Sequence, residues 1–227
     1  MILKTRLLGK TYAFRDIKDA LAKANEDKTG DRLAGLAAET AQERVAAKVV
    51  VASLLLSDLR EHPAVPYEED EVTRIIQDDV NEPQYTKIRN WTVSDLREWI
   101  LDEKTTGADI RRLSRGLTSE MVAAVAKLMS NLDLIYAAQK IRITAHCNTT
   151  IGLPGTLSCR LQPNHTTDDP DGILASTLEG LTFGAGDAVI GLNPVTDSAQ
   201  RVKEVLERFR EVKERWNIPT QTCVLAH

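Results

Sequence analysis

What the sequence lacks narrows what it can be. Nowhere in its 227 residues does an apolar run approach the roughly 18 that a membrane helix needs, so no membrane partner is expected. The opening stretch, MILKTRLLGKTYAFRD, holds no continuous apolar segment long enough for a signal peptide. No basic run stands out. Lys and Arg total 29 against 33 Asp and Glu, a net charge of -4, which argues against nucleic acid as the main partner. Cysteine is sparse: Cys147, Cys159 and Cys223 are an odd number without metal-ligand spacing. They read as reduced, buried thiols in a cytoplasmic protein.

What is present is a chain with enough apolar residues, 42%, to bury a core. Its length suits one large domain or two smaller ones. Two regions follow different patterns. Residues 1–140 read as helical. Between Asp16 and Asn25, Ile17, Ala20, Leu21 and Ala24 form one stripe. Thr40 to Glu43 fits a capping box opening the helix AAKVVVASLLL. DEVTRIIQDDV, VSDLREWILD and TSEMVAAVAKLMSNLDLIYAAQK are further helices, the last capped by Thr118. Trp91, Trp99 and Trp216 sit at helical spacing, as core or interface anchors.

Residues 141–227 alternate instead. Three strand-like runs, GTLSCRLQ, DAVIGLN and TCVLA, begin near Gly155, Asp187 and Thr222. Between them lie DPDGILASTLEG, with Asp169 as N-cap, Pro170 at N1 and Gly180 as a stop, and DSAQRVKEVLERFREVKERW. The latter carries Val202, Val205, Leu206, Phe209, Val212 and Trp216 on one face. This is a parallel βαβαβ segment, either a doubly wound sheet or the start of a (β/α)8 barrel. Neither GxGxxG nor GxxxxGKS/T follows the first strand, which weakens a dinucleotide or P-loop reading.

Side chains alternate faces along a strand. Thr156, Ser158, Arg160 and Gln162 therefore share one face of the first run, opposite Leu157, Cys159 and Leu161. Val189, Gly191 and Asn193 share a face of the second, and Gly191 leaves space below Asn193. Arg160, Gln162 and Asn193 fall at C-terminal strand ends, where barrels carry chemistry. Pro194 ends the second strand because it has no N–H to donate. A plainer reading stands beside this one: Arg160 pairs with an interior carboxylate and the two amides tie down loops.

The runs QERVAAK, TRIIQDDVNE, GLTSEMVAAVAK, NTTIGLPGTLS, RLQPN, GDAVIGLNPVTD and NIPTQTCVLAH span the whole chain. They closely resemble the large chain of the ethanolamine ammonia-lyase family, in its N-terminal half. The resemblance implies a (β/α)8 barrel behind an N-terminal helical region, with ethanolamine bound inside the barrel beneath a corrin ring. It implies that Arg160 and Asn193 hydrogen-bond the substrate hydroxyl, that Gln162 helps hold the amino group, and that Pro194 lies against the cobalamin. The implied cofactor is adenosylcobalamin. Homolysis of its cobalt–carbon bond yields a radical that takes hydrogen from the carbinol carbon, and ethanolamine becomes acetaldehyde and ammonia. Implied partners are a small subunit, further large chains in an oligomer, and an ATP-dependent reactivating factor. The implied location is the cytoplasm, often inside a protein-shelled microcompartment.

A barrel of this kind needs about 250 residues by itself. The chain is therefore expected to hold only the first three barrel strands. A glutamate and an aspartate that the family brings from later strands are then missing, and the 227-residue chain alone is expected to be inactive. The alternative is a non-catalytic scaffold that assembles with other chains.

Four further features compete for a role. His165, Asp168, Asp169 and Asp171 cluster in NHTTDDPD, where helix capping explains the aspartates more simply than a metal. His146 and Cys147 read as structural. FGAGD precedes a strand instead of following one, so it does not suit a phosphate cradle. His227 falls at the end of the third strand, and its role stays open.

Overall fold

Short polar residues that bond backbone N–H groups set where this chain starts and stops its helices. The computed structural model describes residues 2–196 and 198–225, and the chain divides into two compact units, Met1–Arg142 and Ile143–His227.

The first unit opens with an antiparallel hairpin of β1 (Leu3–Leu7) and β2 (Lys10–Phe14). The reading of this region as helical omits it. Leu8 and Gly9 both take positive φ, the turn geometry a tight hairpin needs, but Leu-Gly is a weak turn signal. Alternation drives the pairing: Tyr12 and Phe14 point into the core while Thr11 and Ala13 are exposed. Ten helices follow: α1 (Ile17–Lys23), α2 (Thr29–Leu33), α3 (Ala41–Ser53), α4 (Leu56–Glu61), α5 (Glu71–Asp78), α6 (Glu82–Ile88), α7 (Val93–Leu101), α8 (Gly107–Ser114), α9 (Ser119–Leu128) and α10 (Asn131–Lys140).

The Thr40 hydroxyl caps α3 by accepting from the Glu43 N–H at 3.1 Å. The return bond is shifted by one residue, because the Glu43 carboxylate accepts from the Glu39 N–H at 2.7 Å. The long helix expected from Thr118 onward is two helices. Met129 is extended, and Ser130 and Asp133 form a reciprocal capping box that starts α10 afresh. Phe14, Leu56, Leu59, Ile88, Leu96 and Met121 fill the core, with Trp91 and Trp99 packed against it.

The second unit begins with a small hairpin, β3 (Ala145–His146) and β4 (Thr150–Ile151). A parallel sheet follows in the order β5-β6-β7: β5 (Arg160–Leu161), α11 (Pro170–Thr182), β6 (Val189–Leu192), α12 (Ala199–Trp216) and β7 (Gln221–Val224). The expected first strand shrinks to two residues. Pro154 and Gly155, the latter at φ +72, break the preceding chain, and the Cys159 N–H goes to the Asp187 carboxylate at 2.6 Å instead of a ladder.

α11 runs past Gly180 to Thr182, so Gly180 is not a stop. Its missing Cβ makes room for the Leu161 side chain. Leu161, Ile190, Leu192 and Val224 pack with Ile173 and Leu181 of α11 and Val205 and Phe209 of α12, so both helices cover one face of the sheet. Among the described residues the architecture is α/β with an open three-stranded sheet, and no barrel closes.

Candidate functional site

Register decides what the uncovered face presents. Arg160 pairs with Val189 and Leu161 with Ile190, so Arg160 stands on the side away from the two helices. Its guanidinium lies across Gly191. A Cβ built there would sit 2.5 Å from the Arg160 Nη2 and 2.9 Å from its Cζ. Absence of a side chain at Gly191 thus lets the cation rest flat on the sheet.

Arg160 is exposed, and no carboxylate among the described residues pairs with it. Gln162 follows β5 and Asn193 follows β6. Both are exposed, and the described hydrogen bonds leave both side-chain amides free.

The amide that ties down the loop is a different one, Asn164. Its Oδ1 accepts from the Asn193 N–H at 3.0 Å. Pro194 has no N–H and is buried. The next two N–H groups, of Val195 and Thr196, donate to the two carboxylate oxygens of Asp168 at 2.9 and 2.6 Å. Every N–H from Asn193 to Thr196 therefore has a side-chain acceptor on the loop that follows β5. This is why a buried apolar strand stops at an Asn-Pro pair: the ladder ends, and a neighbouring loop takes over its donors.

Asp168 is 1% exposed and holds a left-handed backbone, φ +53, which non-glycine residues seldom adopt. Burial works against its charge. The Val195 and Thr196 N–H groups outweigh that, aided by the fields of Arg201 and His165, and keep its carboxyl below the usual range. The sequence offers Asp168 as a helix-capping aspartate, but Asp169 caps α11 and Asp168 instead holds the loop after β6, while Asn164 carries no sequence-based role. A faint signal existed in the run of Pro163, Asn164 and the Thr-Thr-Asp-Asp that follows, which is rich in residues that cap backbone.

The other candidates fall elsewhere. Asp169 caps α11 through the Gly172 N–H at 2.7 Å, and the His165 Nδ1 accepts from the Asp169 N–H at 3.3 Å. The His146 ring meets the Thr150 hydroxyl at 3.1 Å, and the Cys147 thiol donates to the Thr149 carbonyl at 2.7 Å, both within the β3–β4 hairpin. The FGAGD segment organises the opposite, N-terminal end of the sheet. There the Asp187 carboxylate accepts from the Thr149 hydroxyl and the Cys159 N–H, which hold it below the usual range. His227 lies outside the described residues.

The family profile described as ethanolamine ammonia lyase large subunit (EutB) matches residues 12–227. The chain is 56% identical over 227 residues to the ethanolamine ammonia-lyase large subunit of Salmonella typhimurium, covering 100% of this chain and 50% of that protein. Identity and coverage are the same against the Escherichia coli K12 large subunit. The chain spans about half the length of the curated relatives it matches.

Proposed function

The chain belongs to the ethanolamine ammonia-lyase large-subunit family, and from that premise we propose that it is the N-terminal half of a catalytic chain that converts ethanolamine to acetaldehyde and ammonia. The observation that carries the reading is the Arg160 guanidinium laid across Gly191 without a carboxylate partner, at the strand ends that continue into Gln162 and Asn193 with their side-chain amides free.

Arg160 and the Asn193 amide donate hydrogen bonds to the substrate hydroxyl. The Gln162 carbonyl oxygen accepts from the amino group. Neutral amides suit radical chemistry because they grip polar groups without acting as proton acids or redox partners. A cation beside a protonated amine is unfavourable. The site therefore needs a carboxylate facing the amine, and Asp168 does not serve, since both its oxygens are taken by backbone N–H groups.

The proposed cofactor is adenosylcobalamin, which supplies a cobalt–carbon bond that breaks homolytically. The loop after β6 fits such a macrocycle in character: Val195 is 65% exposed and apolar, Asn193 offers an amide, and Pro194 stiffens the backbone between them. Those three residues would hold it, with the buried Pro194 contributing mainly rigidity.

The sheet is proposed as the opening of a (β/α)8 barrel, with residues 1–140 as a separate, mainly helical region. Sequential strand order with both connecting helices on one face supports this over a doubly wound sheet, where helices cover both faces. The relatives' designation as a large subunit points to a small-subunit partner. Among the described residues, no helix is long and apolar enough to cross a membrane.

The test is Arg160→Ala in the full-length lyase. Losing a charged hydrogen bond should cost about 1.5–3 kcal/mol, roughly a 10- to 150-fold fall in kcat/KM for ethanolamine. A fall of less than about threefold rejects the role.

A further inference from the structure

We infer that Asn164 and Asp168 are positioning residues: together they clamp the loop after β6 so that the Asn193 amide is presented to the substrate in a single orientation. The inference rests on the proposed lyase reading and deepens it.

Asn193 to Thr196 leave the sheet with three N–H donors, and Pro194 fixes only one φ. Donors without protein partners would turn to water, and the loop would sample several conformations. Three acceptors prevent this, and all of them come from residues 164–168. The Asn164 oxygen fixes the backbone of Asn193 itself at 3.0 Å. The carboxylate of Asp168 takes two consecutive N–H groups, one per oxygen, at 2.9 and 2.6 Å. Two bonds from one planar group fix orientation as well as distance.

Asp168 is also an expensive residue in this place. It is a nearly inaccessible charge on a left-handed backbone, and no cation forms a salt bridge with it among the described residues. Backbone strain of this kind persists where the surroundings over-determine the conformation, and it concentrates at functional sites. The clamped segment begins with the residue proposed to touch substrate, and that residue's side chain is left free by the clamp. The clamp also joins the two strand ends, since Asn164 lies two residues beyond Gln162 and its N–H bonds the Gln162 carbonyl at 2.9 Å.

The experiment uses the full-length lyase with its small subunit and three variants. Asn164→Asp keeps an acceptor oxygen in place. Asn164→Leu keeps the size and removes the acceptor. Asp168→Asn leaves one acceptor oxygen for two donors. Amide hydrogen exchange at Asn193, Val195 and Thr196, kcat/KM for ethanolamine, and the thermal midpoint are measured together. Asn164→Leu and Asp168→Asn should speed exchange at their partner amides and lower kcat/KM by at least about tenfold, beyond what any change in folded fraction explains, while Asn164→Asp recovers most of the loss. Faster exchange with kcat/KM within about threefold of wild type overturns the positioning role. So does an Asn164→Asp variant as impaired as Asn164→Leu. If Asp168→Asn does not fold, the Asn164 pair decides alone. A wild-type chain without ethanolamine turnover sinks the functional reading instead, and exchange at Val195 and Thr196 then judges the clamp by itself: unprotected amides there overturn it.

Discussion

Gly191 sets the character of the open sheet face by what it leaves out. Any side chain there would occupy the space of the Arg160 guanidinium. The obstructed atoms are the far end of an exposed, flexible side chain, so Gly191→Ala should change stability by less than about 1 kcal/mol. It should still displace the cation and lower kcat/KM for ethanolamine by about tenfold, since small misplacements of a gripping group are costly to turnover. A comparison of urea midpoint and kinetics checks both halves, and unaltered kinetics would mean that the resting place of Arg160 does not matter. At this scale the sequence is partly legible. Period-two alternation marks Gly191 as space beneath the Arg160 face, because side-chain direction is a local property of a strand, whereas Gln162 and Asn193 lie beyond the strand ends where that rule stops. The clamp is not local. Asp168 meets backbone 27 and 28 residues away, and nothing in side-chain periodicity encodes a bond to a distant N–H.

Capping carboxylates give the first unit a dependence on pH. Thr73 bonds Asp70, Thr92 bonds Asp95, Thr106 bonds Asp109, and the Ser130 N–H bonds Asp133, which also pairs with Arg97. Each carboxyl is held below its ordinary range. A group whose pKa is lower when folded contributes stability above its unfolded value, near pH 3.9 for aspartate, and loses it as pH falls through the folded value. The urea midpoint of the first unit should therefore drop between about pH 5 and pH 3, and Asp133→Asn should flatten part of that drop. An equally steep fall in that variant would remove Asp133 from the account. The same caps show where pattern reading of elements succeeds. Thr40, Thr118 and Asp169 all cap the helices expected of them, and Asp16 caps α1 without having been singled out. The Ser130 box divides what apolar periodicity shows as one helix, because periodicity registers the stripe and not the extended Met129 between its halves. The opening hairpin escaped for a related reason, since five-residue strands joined by Leu-Gly leave little local signal.

Across the whole molecule, two strand ends from successive βα units meet through one loop clamp, and the proposed substrate grip draws on both. Among the described residues the sheet is open at β7 and uncovered around Arg160, and the chain spans about half the length of its curated relatives. Sequence alone disclosed the parallel order, since the spacing of the apolar runs requires crossover helices, but it could not show that both helices pack on the same face. The central claim is that Arg160 on β5 and Asn193 just after β6 act on one substrate hydroxyl. A double-mutant cycle of Arg160→Ala and Asn193→Ala on kcat/KM in the full-length lyase tests it most directly. Groups sharing a ligand atom should be coupled, with the double variant departing from the sum of the singles by about 1 kcal/mol or more. Additivity within about 0.5 kcal/mol, or no loss in either single variant, would contradict it.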